Sequence, residues 1–133
     1  MYKLIFILII ASSCSRNNSN SSTTSNEELV KGKTWKTYDY KENGVTDAFV
    51  IGQQPTFQFR TDGKMYFSQI NPVFRDTFSF QFINDNNIKL TKPQVSATAY
   101  INFKIDRLTE NDFDFTGTEN QAADVSTYKT TKQ

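Results

Sequence analysis

Histidine is absent from the chain. That removes the commonest general base and metal ligand near neutral pH. Cysteine occurs once, at Cys14, so the chain cannot form a disulfide within itself. An exported domain built this way lacks the usual covalent reinforcement, and its core must suffice alone. Charge of one sign is lacking too, with 15 basic against 14 acidic residues. No basic patch recommends nucleic acid or an anionic lipid surface as a partner. Long apolar runs are missing as well. Leu4 to Ala11 covers only about 12 Å as a helix at ~1.5 Å per residue, against a hydrocarbon core of ~30 Å.

What the N-terminus does contain is an export pattern. Lys3 supplies a positive start, Leu4 to Ala11 an apolar run, and Ser12 and Ser13 the small residues before Cys14. A run this short reads as a signal peptide rather than a span. Ala11-Ser12-Ser13-Cys14 resembles the lipobox of bacterial lipoproteins, with Ala where Leu is commonest three residues before the cysteine. The resemblance implies that residues 1–13 are removed and that a diacylglyceryl thioether forms on Cys14. A further acyl chain such as palmitate then sits on the new N-terminus. One acyl chain binds a membrane marginally, and two or more anchor stably, at ~0.8 kcal/mol per buried CH₂. The alternative is an ordinary secretory signal with an incidental cysteine at its end.

Ser15 to Asn26 is almost entirely Ser, Asn and Thr. It has nothing to bury, so residues 14–26 read as a lipidated cysteine and a disordered tether. As a random coil the tether spans roughly 17–21 Å. No acidic cluster follows Cys14 directly, which favours an outer-membrane anchor facing the periplasm over the cell exterior. The membrane, through Cys14, is the first expected partner.

Residues 27–133 read as one domain of ordinary size. Asn26 to Gly32 suggests a helical turn, with Asn26 as N-cap, Glu27 and Glu28 at the positive end of the dipole, and Gly32 as the stop. From there the period is two. A strand over Thr34–Tyr40 is followed by a loop over Asn43–Pro55. Phe57 and Phe59 then share one face. With Gly63 left-handed in a three-residue turn, Phe57 faces Phe67 and Phe59 faces Met65. A slip of one residue would bury polar groups. Phe74, Phe78, Phe80 and Phe82 share a parity, with Asp76 as the exception. Asn84 to Asn87 is a turn rather than a calcium loop, since it lacks spaced carboxylates. Ile88 and Leu90 form a short strand. Ala97, Ala99, Ile101, Phe103 and Ile105 alternate with polar residues. Phe113 and Phe115 do the same after a turn at Thr109–Asn111. Gly117–Asp124 reads as a loop, and Val125–Thr130 as a last strand. Strands joined by tight turns, with no helix long enough for a crossover, predict an all-β antiparallel up-and-down barrel of eight strands.

Three segments carry a family likeness. Leu29-Val30-Lys31-Gly32-Lys33-Thr34-Trp35-Lys36 leads a helical turn into Gly and Trp. Thr56 to Lys64 is a strand, Asp-Gly, strand hairpin. Phe103 to Phe115 contains Ile105-Asp106-Arg107-Leu108-Thr109 before a last hairpin. In this order they resemble the small lipocalin-like domains of bacterial lipoproteins, which implies a calycin-type barrel. In lipocalins a basic residue packs on the Trp, and Arg107 and Lys129 are both candidates for that role here.

For chemistry the residues offer little. No Ser, Thr or Lys has a histidine to activate it. Asp112 with Asp114, and Glu27 with Glu28, read as solvated carboxylates. The expectation is therefore no enzyme, no cofactor and no metal. Tyr38, Tyr40, Tyr66 and Tyr100 fall on outward parities. An eight-stranded barrel has room for packed side chains or for one small ligand. Trp35, Phe57, Phe59, Phe67, Phe78, Phe80, Ile101 and Phe103 are the interior residues nominated to hold a small apolar ligand. Ser68, Ala97 and Ala99 are the hints of space. The competing expectation is a filled barrel that binds another envelope protein through its surface and loops.

Overall fold

The computed structural model describes residues 24–92, 94 and 98–133. The signal segment, Cys14, tether residues 15–23 and Ala97 lie outside the described residues. Nine strands follow a short helix α1 (Asn26–Val30): β1 (Lys33–Glu42), β2 (Val45–Thr46), β3 (Thr56–Phe59), β4 (Lys64–Ile70), β5 (Val73–Asn84), β6 (Asn87–Thr91), β7 (Tyr100–Leu108), β8 (Asp112–Glu119) and β9 (Val125–Lys132). A second helix, α2 (Ala48–Gly52), lies between β2 and β3. Every pairing is antiparallel, β3 to β9 follow in sequence order, and β9 pairs back along β1. With β2 a two-residue stub on the end of β1, the result is a closed eight-stranded up-and-down barrel. Closure removes the free edges of the sheet.

The β3–β4 hairpin has the register that its side chains require. Gly63 is left-handed at φ +79°, and Phe57 faces Phe67 while Phe59 faces Met65. Elsewhere the structure differs from the alternation. Ser25, not Asn26, caps α1: its Oγ accepts the Glu28 amide, while the Glu28 carboxylate accepts the Ser25 amide. This capping box satisfies both groups at once. The Asn43–Pro55 segment is not a plain loop. It holds β2 and α2, which is capped by Asp47 Oδ1 at 2.9 Å from the Phe49 amide. β7 begins at Tyr100, after Ala99, and β8 continues through Gly117 to Glu119.

Bulges interrupt the alternation in β1 between Thr37 and Asp39, and in β7 between Ile105 and Arg107. A bulge inserts one residue and so reverses facing beyond it. Tyr40 is therefore buried inside the barrel, not outside. Leu108 likewise packs on the core, while Arg107 turns out to Asp114.

One end of the barrel is closed. Val30 of α1, Trp35, Phe59, Phe80 and Phe113 are buried there, in a core cluster that runs on through Met65 to Phe57 and Phe103. Trp35 and Phe113 lie 5.5 Å apart by ring centroids, and Phe59 lies 5.1 Å from Phe80. The Gly32 amide donates to the Phe59 carbonyl, and Asn26 Nδ2 to the Asp85 carbonyl, fastening α1 across this end. The cation over the Trp35 ring is Lys33 Nζ, at 5.9 Å. Arg107 and Lys129 are engaged elsewhere, with Asp114 and Asp39.

Candidate functional site

The opposite end is hollow. A cavity of about 330 Å³ lies between Phe57, Phe67, Phe74, Phe78, Leu90, Ile101, Phe103 and Tyr128. Ligand pockets commonly run from about 300 to 1,000 Å³, so this one suits a small molecule. Its rim carries Glu42 at the end of β1, Glu119 at the end of β8, and Asp124 just before β9.

The aromatic wall is continuous. Phe57 meets Phe67 at 5.3 Å, Phe103 at 5.8 Å, and Tyr128 edge-on at 5.2 Å. Tyr128 stacks on Phe115 at 4.9 Å and leans on Tyr40 at 4.9 Å. Such contacts fix rings in place beyond simple area burial. Burial pushes the Tyr128 phenol above its ordinary pKa, and the neighbouring Tyr40 adds to the shift. Tyr40 Oη and Ser126 Oγ share a hydrogen bond of 3.0 Å beside it.

Space opens where small residues face the rings. A Cβ built on Gly117 would lie 3.2 Å from Phe103 Cε1, so the ring rests closely on β8 and would have to give by a few tenths of an ångström for any larger residue. Gly117, Ala122 and Ser126 all line the cavity. None was nominated from the sequence, although Gly117 shares the parity of Phe113 and Phe115. Of the earlier hints, Ala99 borders a smaller neighbouring pocket, and Ser68 does not line the main one.

Asp76, the parity exception, does face inward and lines the cavity. Its Oδ2 lies 2.5 Å from Lys92 Nζ, which neutralises it and makes an inward carboxylate tolerable. Asp124 is held at the rim by Asn43, whose Nδ2 donates to Asp124 Oδ1 at 3.0 Å. Asn43 also accepts the Val125 amide through its side chain, fixing the β1–β2 turn to the start of β9.

The eight nominated residues divide between the two ends. Phe57, Phe67, Phe78, Ile101 and Phe103 line the cavity. Trp35, Phe59 and Phe80 belong to the closed end. Tyr38 is outside and Tyr40 inside, while Tyr66 and Tyr100 carry Arg60 and Lys89 over their rings. Asn84 Oδ1 accepts from the Asn86 amide and from Asn87 Nδ2, so that turn uses its oxygen internally. Among the described residues no three acidic side chains converge closely enough to hold a metal ion.

Asp112 and Asp114 belong to a different feature, on the outer surface. Asp39, Lys129, Asp114 and Arg107 are successive cross-strand partners over β1, β9, β8 and β7. Lys129 lies 3.2 Å from Asp39, and Arg107 Nε 2.8 Å from Asp114, with Asp112 at 3.6 Å. The hydrogen bond to Asp114, then its charge, holds the Arg107 guanidinium above its usual pKa. This ladder is structural in position, away from the cavity.

The chain matches no protein-family model, and no curated protein matches it.

Proposed function

We propose that this chain is a lipid-anchored lipoprotein of the bacterial cell envelope whose lipocalin-like barrel binds a small apolar ligand at its open end. It is a binding module rather than an enzyme. The observation that carries this is the cavity of about 330 Å³ with its wall of phenylalanines and Tyr128. The same aromatic content that fills the closed end leaves the other end empty, because Gly117, Ala122 and Ser126 line it. The tether joins through α1 at the closed end. Anchored at Cys14, the barrel would then present its mouth away from the membrane. The signal, and the lack of an acidic cluster directly after Cys14, support an outer-membrane position facing the periplasm.

The test uses the mature chain carrying Cys14→Ser, so that no acyl chain of its own competes. Titration calorimetry with decanol should give saturable one-to-one binding. The substitution Ser126→Phe, which fills the cavity, should abolish it while the barrel stays folded. A folded chain that takes up no decanol would sink the proposal.

A second reading, a protein-interaction module, draws on exposed apolar residues near the mouth. Val45, Phe49 and Val73 are 71%, 72% and 75% exposed. The Ile70 amide donates to the Gln53 carbonyl, which joins the β4–β5 turn to the α2 segment. Charged substitutions at Phe49 and Val73 would separate the two readings. They should remove a protein partner and leave decanol binding intact.

A further inference from the structure

We infer that the ligand held at the open end is a cationic amphiphile, an apolar body bearing an ammonium group. This rests on the proposal that the cavity is a ligand site, and it specifies the ligand's charge. The cavity itself is the site, and its apolar wall sets the body of the ligand. Its lining includes four carboxylates, Glu42, Asp76, Glu119 and Asp124, and no lysine or arginine. Lys92 pairs with Asp76, lies 5.8 Å over the Phe78 ring and lines the adjoining pocket beside Glu119, so it offsets one of the four acids. Among the described residues Glu42, Glu119 and Asp124 have no ion-pair partner.

These three come from the end of β1, the end of β8 and the turn before β9, so they ring the mouth and do not meet at a point. That arrangement suits a charge spread over an organic group better than a small metal ion, which needs convergent oxygens. Below the rim the wall is aromatic, and ring faces attract cations through their quadrupole. A mouth of one charge sign above low-dielectric walls also concentrates ions of the opposite sign. A fatty acid would bring its carboxylate against three others, so the common anionic amphiphiles are the wrong partners.

The rim carboxylates are exposed, so the discrimination is modest: about tenfold in affinity between matched cationic and neutral ligands. The experiment compares decyltrimethylammonium, decanol and decanoate by titration calorimetry on the mature Cys14→Ser chain. The ammonium should bind about tenfold tighter than decanol, and decanoate weaker than both. The double substitution Glu119→Gln, Asp124→Asn should bring the ammonium down to the level of decanol, with decanol unchanged. Added salt should shrink the same preference. Three ligands bound equally, or decanoate bound as well as the ammonium, would overturn the charge assignment and leave the apolar site standing. A preference that survives both the double substitution and high salt would overturn it too. Failure of all three ligands to bind would remove the site and the inference together.

Discussion

A Cβ at Gly117 would sit 3.2 Å and 3.4 Å from two atoms of the Phe103 ring. Phe103 borders the cavity, so a larger residue at 117 presses its ring toward the empty space. Gly117→Val should therefore destabilise the barrel by about 1–3 kcal/mol, the usual range for overpacking. It should also weaken decanol binding. Urea unfolding and calorimetry on the same variant check both effects. Tyr128 makes a second prediction at this scale. Its phenol has a pKa raised in the folded state by burial and by Tyr40. Folding then favours its neutral form. The associated stability is fully present below the ordinary tyrosine pKa of about 10 and is lost as pH rises above it. Unfolding free energy should fall with pH in that alkaline window. Tyr128→Phe should flatten the fall, as read from urea melts across it.

Among the elements, the strands were mostly legible and their faces were not always. Period two in β3, β4 and β6, with Asp62-Gly63 between β3 and β4, was enough to set a hairpin register residue by residue. The bulges in β1 and β7 were invisible, because an inserted residue leaves composition unchanged and shows only against a partner strand. Tyr40 was misplaced for that reason. α2 was missed because five residues give too short a pattern to show a helical period. The Arg107 bulge has a consequence in the outer charge ladder. Asp114 is nearly buried, and its Oδ1 has no hydrogen-bond partner among the described residues. Asp114→Ala should lower the urea midpoint by removing the short ion pair that Arg107 makes across β7 and β8 and leaving it only the longer contact to Asp112. The double change Arg107→Met, Asp114→Leu should recover much of the loss, since no orphan charge remains. A double variant no more stable than Asp114→Ala would show that the ladder's geometry, not charge balance, holds these strands.

For the whole molecule, the proposed anchor at Cys14 and the mouth of the barrel stand at different places in the chain. α1 lies at the closed end, and Glu42, Glu119 and Asp124 mark the other. With the lipid on Cys14, the chain should partition into the detergent phase after membrane extraction. Cys14→Ala should move it to the aqueous phase without changing the unfolding midpoint of the barrel. The sequence by itself determined the β class, the strand order and most of the inward-facing set, and it carries the N-terminal pattern on which the proposed export rests. These follow from local periodicity, from turn chemistry and from run length against membrane thickness. Only the tertiary structure decided that the barrel is filled at one end and hollow at the other. That division depends on which small residue faces which ring across strands, as Gly117 faces Phe103. It depends equally on bulges that send Tyr40 inward and Arg107 outward. Cross-strand pairing is a long-range relation, and a period of two carries no record of it.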